Sequence, residues 1–164
     1  MTYTLEALAG EQEELRLDGF DYDFAWALGA LMRERAAAAK APVAISVAHG
    51  ADVVFSVLLP GATPDNIDWT ARKRAVAGRF QRSSLAMRLE AEAKGHDFNR
   101  RYRLPEAGFA ASGGGVPLML GNGTLIGTAG VSGLPDVEDH RLIVEALRTL
   151  LGRPAGGGGP RRGG

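Results

Sequence analysis

This sequence predicts an α+β fold: one antiparallel sheet of about four to five strands with helices layered against it. Three observations carry that reading. Two pairs of short strand-like segments are each joined by a tight turn, which makes antiparallel hairpins without crossover connections. Helical periodicity precedes, separates and follows those pairs, so helices must cover the sheet. The 164-residue chain is also 45% hydrophobic, enough for one sizeable core.

Taken in order, Thr4 to about Leu17 is acidic with leucines at 5, 8 and 15, a short helix. Asp21 can cap a stronger one, because Phe24, Leu28, Leu31 and Met32 recur at helical spacing before the stop at Pro42. Val43, Ile45 and Val47 then alternate with small residues, the two-residue period of a strand. After the turn His49–Gly50–Ala51–Asp52, Val53 to Leu59 forms a second strand, apolar on both faces apart from Ser56 and therefore expected at the centre of the sheet. Thr63 and Pro64 offer an N-cap and a first helical residue. The helix they open carries Trp69, Val76 and Phe80 on one stripe and Arg72, Lys73, Arg74, Arg79 and Arg82 around the rest.

Ser83 or Ser84 caps a further helix through Leu85, Met87 and Leu89 that ends near Gly95. Residues 96–115 hold Pro105 and three consecutive glycines and read as a long surface connection. Val116–Leu120 and Thr124–Ser132 are strands joined through Asn122–Gly123, a step suited to positive φ. A closing helix starts at Asp136; Ile143, Val144, Leu147, Leu150 and Leu151 form its apolar stripe, with His140 on the same stripe one turn earlier. The expected domain spans residues 1–151, and the Gly/Pro/Arg-rich stretch 152–164 is expected to be disordered.

Nineteen basic residues balance nineteen acidic ones, so no global field favours nucleic acid or a membrane surface. Cysteine is absent, which excludes disulfides, thiolate catalysis and thiolate metal sites. With no leader-like start and no apolar run of bilayer length, a soluble, cytoplasmic protein is expected.

The stretch Gly127–Thr128–Ala129–Gly130–Val131–Ser132–Gly133–Leu134–Pro135, followed by Asp136, Asp139 and His140, brings backbone N–H groups, acids and an imidazole to one helix N-terminus. Its glycine spacing matches neither the phosphate loop nor the dinucleotide fingerprint, and close approach of a helix or a neighbouring subunit to the sheet explains it better. Asp136 and Asp139 read as caps. His140 fits two readings, an iron ligand or proton carrier and a core-edge histidine bonded to a strand carbonyl. Lys73, four residues after Trp69, can direct its ammonium into a cleft or subunit boundary. Trp69 reads as core or interface, and His49 and His96 as exposed. The histidines at 49, 96 and 140 lack the short spacing of structural metal sites.

Several segments together resemble the haem-degrading-domain family, which includes HbpS-like and GlcG-like proteins. They are Pro42–Val47, Leu59–Asn66 with Asp68–Trp69 and Arg72–Arg74, Phe80 with Ser83–Ser84, Gly114–Pro117, and Gly127–Thr128 leading to Val131–Pro135 with Asp139–His140. The match is to an uncharacterised branch of small bacterial and fungal proteins and covers about residues 5–151. The resemblance implies the profilin-like sheet, assembly into homo-oligomers and haem as the ligand, with at most weak haem-degrading activity. Together with the turn-to-helix junction it suggests a cleft for haem or another small anion built from Asn66, Lys73, Ser132, Gly133 and His140, with no catalytic residue assigned. An interaction scaffold acting through its assembled surface remains the alternative.

Overall fold

The computed structural model describes residues 2–154. In chain order it contains α1 (Leu5–Glu14), α2 (Tyr22–Ala38), β1 (Ala44–His49), β2 (Asp52–Leu58), α3 (Pro64–Phe80), α4 (Ser84–Lys94), α5 (Phe98–Tyr102), β3 (Gly115–Met119), β4 (Leu125–Ser132) and α6 (Asp136–Leu150). The helices begin where short polar side chains can take orphan backbone donors: Thr4, Asp21, Ser83 and Asp97 each accept an N–H from the first turn. At α3, Asn66 Oδ1 accepts the Thr63 N–H at 2.9 Å, and Pro64 occupies the first turn.

The four strands lie in the order β2-β1-β4-β3, every neighbouring pair antiparallel. The two hairpins join along β1 and β4, where Ile45 faces Val131 and Ser46 faces Gly130. Alternation then sorts the faces. Val43, Ile45, Val47, Ala129 and Val131 pack in one core with Leu28 and Met32 of α2 and Ile143 and Leu147 of α6. Ser46 and Gly130 lie on the other face, against Thr70 and Arg74 of α3. Gly130 permits that approach, since a Cβ there would come within 2.9 Å of Arg74 Cγ.

Two expectations are corrected. β2 is an edge strand, not a central one: α3 stops short of it, leaving Val53 and Leu58 51% and 41% exposed. Apolar residues on both faces of a strand fit either position, and only the pairing separates them. Residues 96–115 are not merely a surface connection, because they include α5. Phe98 is buried with Val76, Met87 and Ala91, and Phe80, Tyr102 and Phe109 pack around them as a second cluster. Asn99 Nδ2 fastens the loop by donating to the Leu104 and Phe109 carbonyls. The tail expected to be disordered falls, from residue 155, outside the described residues. Among the described residues no helix is long and apolar enough to cross a membrane.

Gly29 of α2 lies against the Phe55 ring, with no room for a Cβ, whereas Gly10 of α1 has nothing within 4 Å of that position. Gly29→Ala should therefore lose about 1–3 kcal/mol by overpacking. Gly10→Ala should gain about 0.5–1 kcal/mol through helix propensity. Urea denaturation of the two variants checks this, and the opposite order would contradict the packing of α2 on β2.

Candidate functional site

The turn from β4 into α6 organises the site. Gly133 adopts φ +144, and a Cβ there would collide with the Pro42 carbonyl oxygen, so the position is closed to any side chain. Asp139, in the first turn of α6, accepts the Leu134 N–H through Oδ1 at 3.0 Å and Lys73 Nζ through Oδ2 at 3.0 Å. Lys73 Nζ also donates to the Val131 carbonyl at 3.1 Å. Both partners are buried, Lys73 at 3% and Asp139 at 1% exposure. Burial pushes the Asp139 carboxyl up to about 6, against the downward pull of the Lys73 ammonium and the N–H groups of Leu134 and Gly133. The Lys73 ammonium thus lies inside the fold, neutralised, rather than in a cleft.

Asp136 also departs from expectation. Pro135 holds the N-cap position, and Asp136 instead accepts Arg88 Nε at 2.6 Å, Arg88 Nη2 at 3.2 Å and the Gly113 N–H at 2.9 Å. It clamps α4 and the loop before β3 to α6. Asp139 does reach a free backbone donor, but one that precedes the helix.

His140 points elsewhere, because successive helix residues are rotated by about 100°. Its Nε2 lies 2.6 Å from Glu11 Oε1 of α1. Arg148 Nη2 donates to Glu11 Oε2 at 3.1 Å, the Tyr3 hydroxyl donates to the same oxygen at 3.5 Å, and the Tyr3 ring stands edge-on to the imidazole. His140, Glu11 and Arg148 are all buried. Burial alone would raise the Glu11 pKa, but His140 and Arg148 outweigh it and hold the carboxyl below its ordinary value. His140 Nδ1 and Arg148 Nε are buried without a hydrogen-bond partner among the described residues, and Arg148 Nε lies 3.9 Å from Glu14 Oε1. His140 is therefore a buried histidine, as one reading had it, but its partner is a carboxylate of α1 rather than a strand carbonyl. Beside the ring, Leu8, Leu15, Ser83, Met119 and Val144 line a recess with room for roughly one water.

The five residues expected to share a cleft do different work. Asn66 caps α3, Lys73 pairs with Asp139, and Gly133 packs on Pro42. Ser132 is buried at the end of β4 opposite Ala44, and of the five only His140 lines the recess under α1. Glu11 and Arg148 were not singled out from sequence. Glu11 lies 129 residues from the histidine it holds, and nothing in the local pattern of either segment announces that pairing. Trp69 is half-buried under the Arg72 guanidinium instead of lying in the core. His49 and His96 are half-buried, His49 bonded to the Tyr22 hydroxyl and His96 edge-on to Tyr102. Among the described residues no group of three or more acids and histidines could hold a metal ion.

A family model described as "Haem degrading protein HbpS-like" matches residues 20–148, and the chain belongs to that family. It is 42% identical over 151 residues to a UPF0303 protein of Streptomyces avermitilis, covering 92% of this chain and 93% of the relative. Among solved structures it resembles the Ybr137w protein, with TM-score 0.84 and 25% identity over 93% of this chain and 90% of that one. It also shares its fold with a PduOC:heme complex, with TM-score 0.67 and 19% identity over 79% of this chain and 93% of that one.

Because the folded Asp139 pKa exceeds the ordinary 3.8, this carboxyl's contribution to stability is full below that value and declines as pH rises through about 6. The carboxyl 13C resonance of Asp139 should titrate with a midpoint near 6, and a midpoint at the ordinary aspartate value would contradict its burial. Asp139→Asn strands the Lys73 ammonium and should cost about 3–5 kcal/mol in urea unfolding at neutral pH.

Proposed function

We propose that the protein binds haem or another small anion beneath α1, in the place where the Glu11 carboxylate now sits, and that any haem-degrading activity is weak. One observation carries this reading: a buried carboxylate is held by an imidazole, a guanidinium and a phenol, while a second imidazole nitrogen is left without a partner. That is a cradle for an anion next to a nitrogen able to ligate iron. The family description and the haem complex of a protein of the same fold support the choice of haem. His140 is the residue for the iron. Lys73, Ser132 and Gly133 hold the far side of the α6 N-terminus that aims it, and Asn66 anchors the start of α3. The iron would supply the ligand and redox chemistry, and the chain's part is to present His140 and balance the charge. The recess admits about one water, so haem enters only as α1 swings away. The cysteine-free sequence suits a cytoplasmic setting.

Haem titration of the purified protein followed at the Soret band tests this. A saturable shift is expected in the wild type, tighter binding in Glu11→Ala, which unlatches α1, and loss of the shift in His140→Ala. No shift in the wild type, or the same shift in His140→Ala, removes the reading.

A second reading, a homo-oligomeric interaction scaffold, is favoured by Tyr22 and Trp26, one turn apart on α2 and 62% and 67% exposed, beside the edge strand with its exposed Val53 and Leu58. Light scattering coupled to size exclusion should find a defined oligomer that Trp26→Glu dissociates. A wild-type monomer at micromolar concentration counts against it.

A further inference from the structure

The sheet-facing side of α3 carries a second cation next to Lys73, and unlike Lys73 it has no counter-charge among the described residues. Arg74 is half-buried, and its one hydrogen bond among the described residues is from Nε to Ser46 Oγ at 2.8 Å. Ser46 in turn donates to Thr70 Oγ1 at 2.8 Å, and Thr70 donates to the Ile67 carbonyl at 2.7 Å. This relay has a single direction, because Nε is only a donor and the carbonyl only an acceptor. It holds the guanidinium by its Nε edge and leaves both Nη groups without a partner among the described residues. Lys73, Arg88 and Arg148 each meet a carboxylate. Arg74 meets none, and burial alone pushes its pKa down with no acid near enough to offset it.

The guanidinium borders an open groove of about 480 Å³ between α3 and the start of β4. Ala71, Ala75 and Gly78 form the helical wall, Gly127 and Thr128 the floor, and Arg79 stands at the rim. Gly78 and Gly130 keep it open: the nearest atom to a Cβ on Gly78 would be Thr128 Cγ2 at 3.6 Å, and Gly130 clears the Arg74 stem. A groove of this size fits a small organic ligand. A planar, preoriented pair of Nη donors suits a carboxylate, sulfonate or phosphate in two-pronged contact, and the alanine wall suits an apolar body behind it.

We infer that this groove is a second binding site, for a small organic anion with an apolar body, anchored by Arg74 and distinct from the His140 recess. The relay through Ser46 and Thr70 is what separates it from an ordinary surface arginine: the protein has already ordered the side chain that the ligand needs, so little rotamer freedom is left to lose on binding.

The probe is 8-anilinonaphthalene-1-sulfonate, a sulfonate on an aromatic body, titrated by fluorescence, with octanoate and inorganic phosphate as competitors. Saturable binding at one site per chain is expected, weakened at least tenfold in Arg74→Met. Ala71→Trp, which fills the groove from an exposed helix position and leaves Arg74 untouched, should weaken it equally and guards against misfolding of the first variant, which circular dichroism also monitors. Displacement by octanoate alone assigns a carboxylate with an apolar body; displacement by phosphate alone overturns the apolar part of the inference. No saturable binding, or unchanged binding in both variants, overturns the site. His140→Ala separates this proposal from the haem reading: binding of the probe should be unchanged in it, and loss there would trace the probe to the recess and overturn the groove.

Discussion

The buried pair of Lys73 and Asp139 is the constraint on which the rest of the structure depends. Two opposite charges removed from water are tolerable only when they meet each other and every remaining donor and acceptor is used. Here the lysine also donates to Val131 and the aspartate also accepts from Leu134, so the pair draws α3, the end of β4 and the first turn of α6 to a single point. Gly114 and Gly115 allow the β3 strand to press against the same lysine, since a Cβ at either would collide with Lys73 or its neighbours. Moving any of these elements would leave a charge unpaired in the core.

From that point the helical rotation decides the next contact. With Asp139 directed to α3, residue 140 must face another neighbour, and the neighbour present is α1. The N-terminal helix is thereby attached through a polar cluster of Tyr3, Glu11, His140 and Arg148, with Leu8 packed beside Leu85 and Ala86. Polar anchoring of this kind can be displaced by a competing anion in a way that a purely apolar contact cannot, which is why the proposed haem reading assigns the movement to α1.

The two faces of the sheet differ in chemistry for a related reason. Under α2 and α6 the contact is apolar. Under α3 it includes Ser46, Thr70, Lys73, Arg74 and Thr128, with glycines at 127 and 130 where backbone or stems pass closely. Lys73 and Arg74, adjacent in sequence, differ in how α3 accommodates them: the lysine meets a carboxylate, and the arginine meets only the Ser46 hydroxyl among the described residues.

Local chemistry was enough to specify the cap at Asp21, a cap at Ser83 or Ser84, the Pro64 start of α3, the two hairpins and the apolar stripe of α6, because each depends on residues within a few positions of one another. The α+β class followed from their order, and membership of the family from motifs spread along the chain. Strand order, the edge position of β2 and the second cluster around Phe98 were decided only by tertiary packing, since apolar residues on both faces of a strand suit more than one neighbour. The same holds for the site. From sequence alone Lys73 fits a cleft or subunit boundary and His140 an iron ligand or a core-edge histidine, because Asp139, Glu11 and Arg148 reach them only when α1, α3 and α6 fold together. A buried ion pair or a polar cluster is a relation between distant segments, and a sequence records its members without recording that they meet.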